Sequence, residues 1–167
     1  MTKLVILSDS HNTPEAVRRV FAAERDMDAA IFLGDGLRDL DRAAAHFSRL
    51  RIYAVAGNCD FGALEPPDGL AAFDKVLIYY THGHIYGVKY DLDTLTEAAR
   101  VRGATVALYG HTHIPHKEMR AGVLLFNPGS CGRGSGSARY GVLVLDQGQV
   151  VSAEHRQVPL TDGAPEA

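Results

Sequence analysis

The sequence is poor in cysteine and has no excess of basic residues. Its 167 residues include two cysteines, no tryptophan, and 17 lysines and arginines against 20 aspartates and glutamates, so the formal net charge is −3. Two cysteines cannot build a disulfide framework, and we therefore expect a reducing, cytoplasmic environment. A general nucleic-acid binder needs a basic surface, which this composition does not provide, so we expect no nucleic-acid partner.

Long apolar runs are also missing. No run approaches the roughly 20 residues that a membrane helix needs, and the opening stretch "MTKLVILSD" lacks the apolar core and cleavage site of a signal peptide. We therefore expect no membrane association. The length suits one domain, which we place at residues 1–160, and the polar end "TDGAPEA" predicts a disordered tail over residues 161–167.

Short apolar runs alternate with amphipathic stretches in the first two thirds of the chain. Continuous apolar residues, typical of buried strands, occur in "KLVILSD", "AAIFLGD", "IYAVAGN", "VLIYYTHG" and "TVALYGH". We predict helices over residues 14–25, 37–50 and 92–102, and a loop over residues 60–74. Strands alternating with helices indicate parallel βαβ units.

The last third of the sequence has strands without helices between them. These strands are "GVLLFNPGS", "RYGVLVLD" and "GQVVSAEHRQV", and "DQGQ" at residues 146–149 predicts a hairpin turn between the last two. We expect an α/β domain of two stacked sheets with helices outside. In this prediction the first sheet is mostly parallel, and antiparallel hairpins complete the second.

Polar residues follow five of the predicted strands. Ligands of α/β proteins bind at the carboxyl ends of the strands, so these side chains should meet in one crevice. Each motif alone is more often a helix cap, a turn or a surface loop. Together they predict a metal site, because unpaired Asp and His groups are costly to bury without a cation. The predicted ligands are Asp9, His11, Asp35, Asn58, His82, His111 and His113.

Seven ligands exceed the four that one tetrahedral ion takes. They suit two divalent ions that share a bridging carboxylate, for which Asp35 is the natural candidate. Imidazole and carboxylate without thiolate favour a transition metal, and we expect manganese first, with iron, nickel, cobalt or zinc as alternatives. Such a centre is positively charged and activates a water molecule, which suits a phosphate ester as substrate.

The motifs "DSH", "GD", "GNCD", "THGH", "GHTH" and "NPGS", in this order, resemble those of the calcineurin-like metallophosphoesterases. The resemblance covers residues 3 to about 158 and is greatest to the small single-domain phosphodiesterases of bacteria and archaea; the retromer scaffold subunit shares their fold. It implies a four-layer αββα sandwich with two mixed sheets, and a metal-bridging hydroxide that attacks a small phosphodiester. It also implies possible self-association into a homo-oligomer.

The resemblance also divides the ligands between two ions. It assigns the first ion to Asp9, His11, Asp35 and His113, and the second to Asp35, Asn58, His82 and His111. The alternatives within the superfamily are a phosphomonoesterase, a nuclease, or a scaffold without catalytic activity. All seven ligand positions are retained, which argues against the scaffold.

One position departs from the family pattern. Many members have a histidine, taken as the general acid, where this chain has Cys59. A thiol cannot replace an imidazolium beside two cations, so we expect a poorly assisted leaving group and a steep dependence of the rate on its pKa. His84 is either a substitute acid or a supporting residue, and Asn58 is expected to take part in catalysis as well as in metal binding.

Two further residues have open roles at this stage. Asp60 either orients a catalytic group or closes a turn. Arg133, in the glycine-rich stretch of residues 132–137, either clamps a substrate phosphate or belongs to a solvated loop.

Overall fold

The computed structural model describes residues 1–132 and 137–161. The expected tail beyond residue 161 and the arginine at position 133 therefore lie outside the described residues. The helices are α1 (Pro14–Ala23), α2 (Leu37–Ala44) and α3 (Asp93–Val101), with a 3₁₀ helix at His84–Tyr86. The strands are β1 (Thr2–Leu7), β2 (Ala29–Phe32), β3 (Ile52–Ala54), β4 (Asp68–Phe73), β5 (Val76–Thr81), β6 (Val106–Leu108), β7 (His116–Arg120), β8 (Val123–Asn127), β9 (Arg139–Asp146) and β10 (Gln149–Gln157).

The strands form two five-stranded sheets, and both are mixed. The first has the order β10-β9-β1-β2-β3, with β1, β2 and β3 parallel and β9 and β10 antiparallel. The second has the order β4-β5-β6-β8-β7, with a parallel centre and one antiparallel strand at each edge. The predicted β9–β10 hairpin is present, but it completes the first sheet rather than the second, because β9 pairs with β1.

Three apolar layers hold the sandwich together, and each buried large side chain contributes about 1.5–3 kcal/mol. The central layer, between the sheets, includes Ile6, Ile78 and Phe126. On the outer face of the first sheet, α1 and α2 cover a second layer, and on the outer face of the second sheet Leu95 of α3 belongs to a third. The predicted four-layer αββα arrangement is confirmed.

Two strands were not predicted, and one helix was predicted to be too long. Residues 60–74, expected to be a loop, contain β4, and β7 was not predicted as a strand. Both are edge strands with alternating or polar sequences, so they lack the continuous apolar run that marks the central strands. Helix α2 ends at Ala44 rather than near residue 50, and residues 45–50 form turns that pack Phe47 edge-on against Phe21.

In the described part of the chain, the longest helix has ten residues, and none is long and apolar enough to cross a membrane.

Candidate metal centre

Five strand ends meet at one edge of the sandwich. The parallel strands β1, β2 and β3 of the first sheet and β5 and β6 of the second all have their carboxyl ends there. The loops that follow these strands carry all seven predicted ligands and the histidine at position 84. The parallel topology therefore places side chains from distant parts of the sequence in one crevice, as expected.

The first group of candidate ligands consists of Asp9, His11 and His113. Oδ1 of the fully buried Asp9 lies 3.2 Å from Nε2 of His113 and 3.4 Å from Nε2 of His11, and the two imidazole nitrogens are 3.2 Å apart. This Oδ1 atom has no hydrogen-bond partner among the described residues. Burial would raise the pKa of Asp9, but the two histidines hold it well below its usual range. A buried anionic oxygen facing two imidazole nitrogens is the arrangement that a cation would stabilise.

The second group consists of Asp35, His82 and His111. Nε2 of the buried His82 lies 3.2 Å from Oδ2 of Asp35 and 3.2 Å from Nδ1 of His111. The other ring nitrogen of His82 donates a hydrogen bond of 2.7 Å to the carbonyl of Leu33, which leaves Nε2 free to act as a ligand. Burial and the nearby His82 lower the pKa of His111 to about 4, so its imidazole is neutral and able to bind a metal.

Asp35 lies between the two groups. Its Oδ2 atom, close to His82, is also 3.7 Å from Nε2 of His11, and its Oδ1 atom accepts a hydrogen bond from the backbone of Cys59. One carboxylate therefore faces ligands of both groups, as a bridging ligand would.

Asn58 is the remaining predicted ligand, and it lies beside Cys59. It lies on the exposed turn after β3, and its amide nitrogen is 3.6 Å from Sγ of Cys59. The turn itself is next to the centre, because the hydrogen bond from Cys59 to Asp35 joins the two loops.

The backbone at the centre adopts a rare conformation. Positive φ values between 42° and 70° occur at Asp9, His11, Asp35, His111 and His113. The left-handed region is unfavourable for residues with a Cβ atom, and it persists at functional sites where the surrounding structure enforces it. Five of the seven predicted ligands are thus held in strained loops, a feature that the sequence does not reveal.

Asp60 stabilises the loop conformation around Asp35. Its carboxylate accepts hydrogen bonds of 2.7–3.1 Å from the backbone N–H groups of Asp35, Gly36, Leu37 and Gly57. It therefore fastens the loop after β2 to the end of β3 and positions Asp35. Of the two roles open at the sequence level, the structure shows that Asp60 organises the loops.

Sequence reasoning missed the role of the "NPGS" residues at this centre. The Ser130 hydroxyl donates to the backbone carbonyl of Asp9, and the Asn127 amide donates to the carbonyl of Gly110 and the hydroxyl of Thr112. Both side chains are buried and join β8 to the ligand-bearing loops. The motif was visible in the sequence, but its partners are more than ten positions away.

Two glycines allow the loops to approach so closely. A Cβ atom on Gly57 would lie 2.2 Å from Oδ1 of Asp35, and one on Gly110 would lie 2.0 Å from Oγ of Ser8. Neither site has room for a larger residue.

The two candidate general acids are Cys59, which lies beside Asp35, and His84, which lies beside His82. Cys59 is largely exposed, but partial desolvation of its sulfur and the charge of Asp35 raise its pKa, which favours the thiol when no cation is bound. The His84 ring lies 5.4 Å from that of His82, and its buried Nδ1 atom has no partner among the described residues. Burial and His82 lower the pKa of His84, which favours the neutral imidazole. Arg133 lies outside the described residues.

A cavity of about 510 Å³ opens beside the centre. On one side it borders His11, Asp35 and Cys59, and on the other it is enclosed by the start of α2 and by residues 60–65. Its size falls within the range of about 300–1,000 Å³ that is common for ligand pockets.

Comparisons with known proteins agree with this geometry. The family model described as the calcineurin-like phosphoesterase superfamily domain matches residues 2–149. The chain is 35% identical over 129 residues to "Probable metallophosphoesterase YsnB" of Bacillus subtilis, covering 76% of this chain and 73% of the relative. It is 29% identical over 187 residues to "Phosphodiesterase YfcE" of Escherichia coli, covering 95% of this chain and 96% of the relative.

Solved structures show the same fold. A conserved protein of Streptococcus pneumoniae TIGR4, described as a predicted phosphoesterase, superimposes with a TM-score of 0.80 at 27% identity, covering 93% of this chain and 89% of that one. The fold, the convergent strand ends and the matched family model lead to one conclusion: this chain belongs to the calcineurin-like phosphoesterase superfamily.

Proposed function

We propose that the protein is a metal-dependent phosphodiesterase that hydrolyses a small phosphodiester. Membership of the superfamily supports a phosphoesterase, and the similarity to a protein named phosphodiesterase over nearly its whole length supports the diester. The observation that carries the proposal is the buried Oδ1 atom of Asp9, which has no hydrogen-bond partner among the described residues and faces two imidazole nitrogens.

The residues present fit two divalent ions. Asp9, His11 and His113 would hold one, His82 and His111 the other, and Asp35 faces both groups. The family resemblance adds Asn58 to the second set, and the ions expected are manganese first, then iron, nickel, cobalt or zinc. When bound, two such ions supply Lewis acidity for the phosphoryl oxygens and a nucleophile at neutral pH.

Hydrogen bonds within the chain fix the orientation of two of the proposed ligands. His82 is fixed by its bond to Leu33, and Asp35 by the backbone of Cys59 and by the loop that Asp60 fastens. Pre-organised ligands need little rearrangement during the reaction, and small displacements of a catalytic group lower the rate strongly.

Neither candidate general acid is well suited to protonate the leaving group. Cys59 stands where many members of the family have the histidine taken as the general acid, and a thiol cannot replace an imidazolium beside two cations. Burial and the nearby His82 lower the pKa of His84, which disfavours the protonated imidazole. We therefore expect hydrolysis of aryl diesters to be much faster than that of alkyl diesters. A rate that does not change with the pKa of the leaving group would contradict this expectation.

The experiment measures hydrolysis of an aryl phosphodiester by the metal-stripped protein with and without added manganese, together with the metal content of the purified protein. We expect activity that depends on the metal and falls at least about 100-fold in His82→Ala. His116→Ala is the matched control: His116 lies in the edge strand β7, its ring contacts Glu118, and the variant should retain full activity.

Each outcome separates the alternatives. A faster reaction with monoesters than with diesters would favour a phosphomonoesterase, and cleavage of DNA or RNA would favour a nuclease. No activity with any divalent ion, in a folded protein, would favour the scaffold.

A further inference from the structure

We propose that the cavity beside the centre binds the ester group of the substrate, and that this group is a flat apolar moiety without negative charge. The inference rests on the proposed phosphodiesterase function and narrows its substrate class. It is carried by the position of the cavity, by two exposed apolar side chains on its rim, and by the charges on its wall.

The position of the cavity is the first argument. It is lined by His11, Asp35 and Cys59, which lie within 4.8 Å of one another through their potential ligand atoms. A phosphoryl group held at this point has an ester substituent that extends into the cavity. The other wall, from α2 and residues 60–65, then contacts that substituent rather than the phosphorus.

Apolar side chains on this wall are unusually exposed. Phe61 is 87% and Leu64 is 98% accessible, although both line a cavity that borders a polar centre. Their loop is held in place, because the Ala63 backbone donates to the carbonyl of Asp60, whose side chain anchors the neighbouring loops. Apolar surface in a fixed position gains free energy when a ring covers it.

The charges on the wall exclude anionic substituents. Among the described lining residues, Asp39 and Asp60 already accept hydrogen bonds from Ser10 and from backbone groups. The remaining charged side chains on the wall formed by α2 and residues 60–65 are Arg38, Asp41 and Glu65. With Asp39 and Asp60 included, four carboxylates against one guanidinium give this wall a net negative charge, which repels a second phosphate or a carboxylate on the substrate.

The activity test uses three aryl methyl phosphates with a para-(CH₂)₃ substituent that ends in trimethylammonium, hydrogen or carboxylate. The three-carbon spacer insulates the ring from the terminal charge, so the pKa values of the three leaving phenols stay close together. With manganese, we expect kcat/KM to fall in that order, with a spread of about tenfold at low ionic strength. Glu65→Gln combined with Asp41→Asn should narrow the spread to about twofold.

The apolar wall is tested separately with the uncharged substrate. Phe61→Ala and Leu64→Ala should each raise KM about five- to tenfold with little change in kcat, since they remove binding that is uniform along the reaction. Tyr90→Ala is the matched control: this side chain is 92% exposed, follows β5 in sequence, and does not line the cavity.

A binding measurement without metal or turnover gives an independent result. Phenyltrimethylammonium and benzoate are titrated into the metal-free protein, and backbone amide shifts are followed by NMR. We expect saturable shifts at residues 37–38 and 61–65 with the cation, which Phe61→Ala weakens at least about fivefold, and none with benzoate.

The two proposals fail in different ways. Equal rates for the three esters, unaffected by Phe61→Ala, together with no cation-induced shifts, would overturn this inference while the phosphodiesterase function stands. If no diester is hydrolysed with any metal, the proposed function fails, and the NMR titration alone then decides whether the cavity binds a cationic ring and rejects an anionic one.

Discussion

The two ends of the sandwich use the same rare backbone conformation for different reasons. At the end opposite the candidate centre, positive φ values occur at Asp74, Lys75, Ala121 and Gln147. These residues lie in two-residue turns between antiparallel strands, where the twist of the hairpin itself demands such values.

At the carboxyl end, no hairpin requires the conformation. The strained residues follow single strands, and they are held by distant partners such as Asp60 and Ser130. Strain that the local turn explains is ordinary, whereas strain that distant contacts enforce is a sign of function. The two ends therefore have similar positive φ values, but the values have different causes.

The largest expected effect is at the carboxyl end. Asp35→Asn should reduce phosphodiesterase activity at least about 100-fold and lower the metal content, because an amide cannot replace a carboxylate that faces ligands of both groups. Asp74→Asn, in a turn at the opposite end, should keep full activity. Equal losses in the two variants, measured by steady-state kinetics and metal analysis, would remove the functional distinction between the ends.

The next effect is on stability. Asp60→Ala leaves four backbone N–H groups without their acceptor and should lower the free energy of unfolding by about 3 kcal/mol, with a parallel loss of activity. Asp60→Asn keeps one carbonyl oxygen and should lose roughly half as much. Urea denaturation of the metal-free proteins measures both; a loss below about 1 kcal/mol for the alanine variant would mean that the loops hold without this anchor.

A smaller effect is expected from an ion network around the end of α1. Glu24, buried after α1, contacts Lys3 and Arg156 at 2.6 and 2.7 Å and accepts a hydrogen bond from Tyr140. Burial opposes its ionisation, but these three partners lower its pKa below the ordinary value of 4.5. The resulting stabilisation is complete above pH 4.5 and is lost as the pH falls through the native pKa.

Glu24→Gln should therefore cost about 2 kcal/mol at pH 7. The cost should shrink as the pH falls through the native pKa of Glu24, because the wild-type carboxylate then becomes protonated. Glu154→Gln is the matched control, since Glu154 contacts the same Arg156 from an exposed position and should cost less than about 0.5 kcal/mol. Denaturant titrations at several pH values measure this cost. If the cost of Glu24→Gln does not change with pH, ionisation of Glu24 does not stabilise the protein.

The smallest effect is at a turn. Gln147→Gly in the β9–β10 hairpin should raise the free energy of unfolding by about 0.5 kcal/mol, because relief of the left-handed backbone slightly exceeds the added entropy of the unfolded chain. Thermal unfolding measures it with activity as a control. A destabilised variant would show that the glutamine side chain contributes more than its backbone strain costs.

Particular residues show what the sequence could and could not reveal. The continuous apolar runs predicted the central strands, and because parallel strands end at one edge, they also predicted that Asp9, Asp35 and His111 would meet. The edge strands β4 and β7 were missed, since an edge strand needs only alternation and tolerates polar residues. The hydrogen bonds of Asp60 and the positive φ values were not predictable, because they depend on loops that approach across tens of residues.

The origin of the proposed ligands has a further consequence. Both aspartates follow strands of the first sheet, whereas His82, His111 and His113 follow strands of the second. The first sheet alone offers Asp9, His11 and Asp35, and the second alone offers only imidazoles, so neither sheet by itself contains a complete set of ligands for either proposed ion. Binding of both ions therefore requires that the two sheets have packed against each other.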